Sequence, residues 1–148
     1  MKYTNLKVVL VILILLFADY SSSQIKKKPV IQWNQAFYTK ILNLKAIERD
    51  SLLNEMQNSI VQGRAYVESV EKTERYRRHF RITAIDNEAS DLNIRLYIFT
   101  DNQEYLTLLQ KGDFFDFKGQ FVVYTPLNSR RDSYIFDIIL EEGALSVK

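Results

Sequence analysis

Hydrophobic and polar positions along the chain pass through three regimes, and the first has no period at all. Lys2 and Lys7 precede an unbroken apolar run, Val8 to Ala18, which Asp19 ends and Ser21 and Ser23 follow. A basic start, an apolar stretch of about 7–15 residues and small residues at −3 and −1 of a cut make the pattern of a secretory leader. That pattern predicts a signal peptide over residues 1–23, cleaved after Ser23. The run falls short of the roughly 20 residues that a spanning helix needs. The alternative is an uncleaved N-terminal tether in the membrane. Lys26, Lys27 and Lys28 bear against it, because they would flank the apolar run on the outer side, against the positive-inside bias. Residues 24–33 read as a linker, whose lysines either touch anionic lipid head groups or are solvated.

The second regime has a helical period. Phe37, Ile41, Leu44, Ile47, Leu52 and Met56 recur three to five residues apart with no intervening Gly or Pro, which predicts an amphipathic helix over residues 34–58, single or broken in two. Its apolar stripe is expected to pack on a core. From Ser59 the period falls to two. Short β-rich runs at Ile60 to Glu71, His79 to Ile85, Leu92 to Thr100, Phe114 to Tyr124 and Tyr134 to Leu140 are separated by turn residues. Between the third and fourth, Asn102 to Lys111 suits a short helix with Gly112 as its C-cap. The predicted order over residues 59–148 is therefore β-β-β-α-β-β.

Composition narrows this picture. A chain of 148 residues less a leader has room for one hydrophobic core and not two. Nine Phe and nine Tyr against four Gly and two Pro favour aromatic-rich strands over disorder. Cysteine is absent, which excludes disulfides, thiolate nucleophiles, thiolate metal sites and a lipidated cysteine. The net charge of +2 is concentrated upstream, for residues 59–148 hold 12 Lys and Arg against 14 Asp and Glu.

The β-β-β-α-β-β order is the order of the OB-fold, a mainly β, five-stranded barrel. Lys111-Gly112-Asp113 followed by Phe117-Lys118-Gly119-Gln120 resembles the opening of the fourth strand in many OB domains, and Gly63 falls early in the long first strand, where a small barrel bends or bulges. The stretch from Asn58 to Lys148 resembles small exported bacterial OB-fold proteins and the tRNA-anticodon-binding-like OB superfamily. The resemblance implies a fold rather than an activity.

Alternation separates the two faces of each strand. Leu92, Ile94, Leu96 and Ile98 are expected inside with Phe80, Ile82, Ala84, Phe115, Phe117, Phe121 and Val123. Outside lie His79, Arg81, Thr83, Ile85, Asn93, Arg95, Tyr97 and Phe99. OB domains bind oligonucleotides or oligosaccharides on the outer face of their second and third strands, between the loops joining strands one to two and four to five. The candidate ligand-binding set is thus His79, Arg81, Arg95, Tyr97 and Phe99, with Arg75 and Arg77 beside Lys72 and Arg78 in one loop and Arg130 and Arg131 in the other. Aromatics and arginines together can hold bases, sugars or phosphates. The bland reading of the same residues is that the helix covers Tyr97 and Phe99 and that the arginines are solvated or pair with Glu68, Glu71 or Glu74.

Catalytic chemistry is thin. His79 is the only histidine, no metal-ligand spacing, phosphate loop or nucleophile elbow is present, and Asp113 with Asp116 and Glu141 with Glu142 fall at turns and strand ends. The expectation is a non-enzymatic, exported binding or interaction module without metal or cofactor. Its partner is an envelope protein or glycan. Nucleic acid is disfavoured by the balance of −2 over residues 59–148 and by export. A third reading is a structural protein that self-associates through the helix at residues 34–58.

Overall fold

The computed structural model describes residues 30–86 and 92–147, so the leader, its cleavage point and the lysines at 26–28 lie outside the described residues. Period-two alternation does build strands. The elements are β1 (Val30–Trp33), α1 (Gln35–Leu42), α2 (Ala46–Met56), β2 (Ile60–Lys72), a 3-10 turn (Arg75–Arg77), β3 (Phe80–Ile85), β4 (Asn93–Thr100), α3 (Tyr105–Leu108), β5 (Phe114–Pro126) and β6 (Ser133–Val147). Antiparallel pairs join β2 to β3, β3 to β4 and β5 to β6, and β4 runs parallel to β6. Pairing of β2 with β5 closes the cylinder. The last five strands thus form the closed barrel of the OB-fold, with α3 between its third and fourth strands.

One long strand serves two neighbours because it changes partner at Tyr66, which faces Phe114 on one side and Ile85 on the other. The irregularity expected near Gly63 lies instead between Val67 and Ser69. Gly63 has a different task. A Cβ there would stand 2.8 Å from Trp33 Cβ and 3.2 Å from Phe117, so glycine lets β1 lie against β2. That strand is a departure from the sequence reading, in which residues 24–33 form a linker: Val30–Trp33 pairs in parallel with Ile60–Gly63.

The helical segment is two helices. Asn34 caps α1 by accepting from the Phe37 N–H at 3.2 Å, and Glu48 accepts from the Lys45 N–H at 3.0 Å to start α2. The break at residues 43–45 resets the phase of the apolar stripe. Leu53 and Arg49 turn inward, while Ile47 stands 84% exposed. The helices pack mainly on β1 and β5, and the rings of Trp33, Phe37, Phe121 and Phe136 meet beneath them at centroid distances of 5.0–5.9 Å. The expected interior set from β3, β4 and β5 is buried, except that Val123 is only half-buried beyond the register shift after Phe121. The helix expected over residues 102–111 contracts to Tyr105–Leu108. Among the described residues no helix is long and apolar enough to cross a membrane.

The Lys111-Gly112-Asp113 turn is explained by backbone geometry. Gly112 takes φ +94° and donates its N–H to Val67 O at 2.8 Å, while Val67 donates to Asp113 O at 2.9 Å. Gly119 lies so close to β6 that a Cβ would meet Ile139 O at 2.5 Å.

Candidate functional site

Strand register sets the outer face of β3 and β4. Arg81 faces Phe99, Thr83 faces Tyr97 and Ile85 faces Arg95, so alternation puts all six on the side away from the core. The guanidinium of Arg81 lies 4.3 Å from the centroid of the half-buried Tyr97 ring. Glu71 stands opposite Arg81 across the β2–β3 pairing and forms an ion pair with it, and Arg95 pairs with Glu68 at 3.0 Å. The alternative reading of these arginines is thus the observed one for both. The face presents guanidinium–carboxylate pairs around an aromatic ring instead of free cations.

Phe99 sits on the outward side as expected, yet it is fully buried. The cover is the turn Arg75–Arg77, whose Tyr76 ring meets Phe99 edge-to-face at 4.9 Å. Tyr76 donates its hydroxyl to Asp137 Oδ2 at 2.7 Å. Arg75 Nη2 reaches the same oxygen at 2.7 Å and the Tyr76 hydroxyl at 3.3 Å. Asp137 projects from β6 opposite Tyr97 and is 2% exposed. Burial raises its pKa above the ordinary carboxylate value, and Tyr76, Arg75 and Arg81 pull it back only in part. Burial and the neighbouring Asp137 carboxylate likewise raise the pKa of Tyr76. Tyr76 and Arg77 hold φ of +57° and +58°, consecutive left-handed residues without the freedom of glycine. Such conformations cost about 1–3 kcal/mol each and persist where surrounding contacts hold them.

Arg78 and His79 lead into β3 beside Asp101. His79 Nδ1 lies 2.9 Å from Asp101 Oδ1, its N–H donates to the same oxygen at 3.1 Å, and Arg78 pairs with Oδ2. The Arg78 hydrogen bond, helped by those from His79, holds the Asp101 carboxyl below its ordinary pKa. Beside this cluster opens a cavity of about 620 Å³ lined by Lys72, Glu74, His79 and Phe80. Thr73, which also lines it, accepts the Arg75 N–H on its Oγ1 at 3.3 Å.

The other nominated loop belongs elsewhere. Arg131 forms an ion pair with Asp50 of α2, and its carbonyl accepts from Arg49 Nη1. Arg49, 8% exposed, also donates to Ile41 O at 3.1 Å and Leu44 O at 3.2 Å, so one buried guanidinium closes the C-terminal end of α1 and ties it to the β5–β6 loop. The structure therefore groups Arg75, Arg81, Arg95, Tyr97, Phe99 and His79 on or beside one face and takes Arg131 away from it. Arg77 and Arg130 are exposed cations without an ion-pair partner among the described residues.

Two central residues escaped the sequence reading. Asp137 carried a signal, a lone charge inside the apolar run Tyr134 to Leu140. Tyr76, between arginines in a loop, carried none.

No protein-family model matches the chain, and no curated protein matches it. Solved structures similar to it include a putative aspartyl-tRNA synthetase from Leishmania major Friedlin (TM-score 0.42, 11% identity), over 85% of this chain and 22% of that one. Another is the asparaginyl-tRNA synthetase of Entamoeba histolytica (TM-score 0.44, 12% identity), over 81% of this chain and 23% of that one. A third is the OB domain of a Methanosarcina mazei protein (TM-score 0.36, 17% identity), over 62% of this chain and 72% of that one. The chain thus spans under a quarter of each of the two synthetases. The OB-fold follows from the strand order of the barrel itself.

Proposed function

We propose that the protein is an exported, non-enzymatic OB-fold binding module of the cell envelope whose outer β3–β4 face takes a neutral, hydroxyl-rich ligand, an oligosaccharide. The observation that carries this reading is the charge compensation of that face: Arg81 with Glu71, Arg95 with Glu68, Arg75 with Asp137 and Arg78 with Asp101. A polyanion is held by unpaired cations and by the counterions they release, and a balanced face supplies few. Sugar hydroxyls donate and accept, so they suit paired guanidinium and carboxylate groups, while their C–H faces suit rings such as Tyr97. Export is supported by the leader pattern of residues 1–23.

The test is a neutral-oligosaccharide array and calorimetry on the purified protein, with fluorescence anisotropy on a single-stranded oligonucleotide in parallel. Oligosaccharide binding that changes little between low and high salt, and is lost in an Arg81→Ala, Arg95→Ala, Tyr97→Ala triple variant with unchanged melting temperature, is the expected result. Oligonucleotide binding that weakens steeply with salt, with a silent array, overturns it in favour of nucleic acid.

A further inference from the structure

The turn Arg75–Arg77 reads as an object seated on the face more than as part of the wall. Three observations meet there. Phe99 offers a ring on the outer face, and its observed ring partner is Tyr76 from the turn. Asp137 offers a carboxylate on the same face, next to Tyr97 in register, and its observed hydrogen-bonding partners are Tyr76 and Arg75 from the same turn. The backbone that delivers Tyr76 is left-handed at two successive non-glycine residues, a conformation that the chain adopts against its own preference. A ring carrying a hydroxyl thus rests on an aromatic platform, with that hydroxyl given to a buried acceptor. Lifting the turn would open platform and acceptor together.

We propose that the turn Arg75–Arg77 is a displaceable latch and that Tyr76 occupies the seat of a ligand ring, a pyranose that packs on Phe99 and donates a hydroxyl to Asp137. This rests on the oligosaccharide reading of the face and deepens it. Asp137 becomes the acceptor that fixes the sugar, and Arg75, released from Asp137 when the latch lifts, becomes a donor at the rim. A ligand competing with a built-in occupant binds more weakly than the open seat would allow, by the fraction of molecules in which the seat is open.

The experiment uses p-cresol, which is the tyrosine side chain as a free molecule, and toluene, which lacks the hydroxyl. In Tyr76→Ala protein, ligand-observed NMR is expected to show p-cresol bound at least about tenfold more tightly than toluene. The preference should vanish in Tyr76→Ala with Asp137→Asn. Neither molecule binding to Tyr76→Ala, or both binding equally, overturns the seat. Amide exchange on the wild-type protein guards against collapse of the variant: residues 75–78 are expected to open well before the barrel strands, and protection equal to that of β3 and β4 overturns the latch. An oligosaccharide retained by the wild type is expected to bind Tyr76→Ala about 10- to 1,000-fold more tightly, the range for an open state populated at 0.1–10%. Unchanged affinity overturns the latch even where the sugar reading stands. If p-cresol seats in Tyr76→Ala and no oligosaccharide binds either protein, the latch stands and the pyranose falls.

Discussion

The loop between β2 and β3, which lies over the outer face, and the β5–β6 loop, which is tied to α2, are built on opposite principles. The β5–β6 loop is fastened from below. Arg49 donates to its Arg131 carbonyl and to the end of α1, and Arg131 pairs with Asp50, so the loop and both helices share one buried network. The loop between β2 and β3 is instead held at its tip, by Tyr76 and Arg75 on Asp137, and its backbone is strained to reach there. Both loops are rich in arginine. At the β5–β6 loop, Arg131 pairs with Asp50 of α2 and the buried Arg49 donates to the loop's carbonyl, so arginine is part of the framework. In the β2–β3 loop, Arg75 reaches from a half-exposed position at the tip to the buried Asp137 carboxylate, which it shares with Tyr76. The lesson is that an arginine count does not locate a site; the partner of each guanidinium does.

The largest break in this comparison should come from Arg49→Met. Removing the guanidinium from the carbonyls it serves is expected to cost about 2–4 kcal/mol, read from urea unfolding, with faster amide exchange at residues 128–132 and none of it at residues 75–78. Arg49→Lys should recover only part, since one ammonium cannot span the same carbonyls. Next comes Asp50→Ala, expected to cost about 1 kcal/mol and to loosen the β5–β6 loop alone. Tyr76→Gly should change global stability by less than about 1 kcal/mol, because lost contacts are offset by relief of the left-handed strain, yet it should speed exchange at residues 75–78. Arg95→Ala, on a partly exposed pair, should stay within about 0.5 kcal/mol.

The smallest effect is on pH dependence. Burial raises the Asp137 pKa above 3.8, so between that value and the raised one the folded protein keeps a proton that the unfolded chain releases. Stability from this group therefore grows as pH falls through that window and is lost as pH rises through it. Carbon-detected NMR of the carboxyl should give a midpoint above the ordinary aspartate value, and Asp137→Asn should remove this component from the pH dependence of urea midpoints.

Much of the barrel was legible in the chain. Alternation in Leu92 to Ile98 and Phe115 to Phe121 reports burial directly, and Gly112 and Gly119 mark a turn and a close approach that side chains forbid. What was not legible depends on distant partners. Val30–Trp33 looked like a linker because a parallel strand on Gly63 leaves no local trace. Arg49 falls outside the apolar stripe and gives no local sign of its role, because the carbonyls it serves come from the end of another helix and a distant loop. Phe99 looked available because alternation gives the face a residue points to and cannot say what lies over it. The candidate face was therefore placed by residue type and strand order, while its cover and its central carboxylate emerged only from the packing.

Closure of the barrel has a kinetic consequence. Ile60 meets Gln120 and Tyr66 meets Phe114, so the seam between β2 and β5 joins parts of the chain that everything between them must first bring near. The entropy of closing so long a loop is spent before the seam returns any contact, whereas the β3–β4 and β5–β6 pairs form from neighbours. Folding is accordingly expected to be limited by the seam. Gly63 and Gly119, which clear the space beside β2 and β5, would then act on how fast the cylinder shuts as well as on how firmly it stays shut.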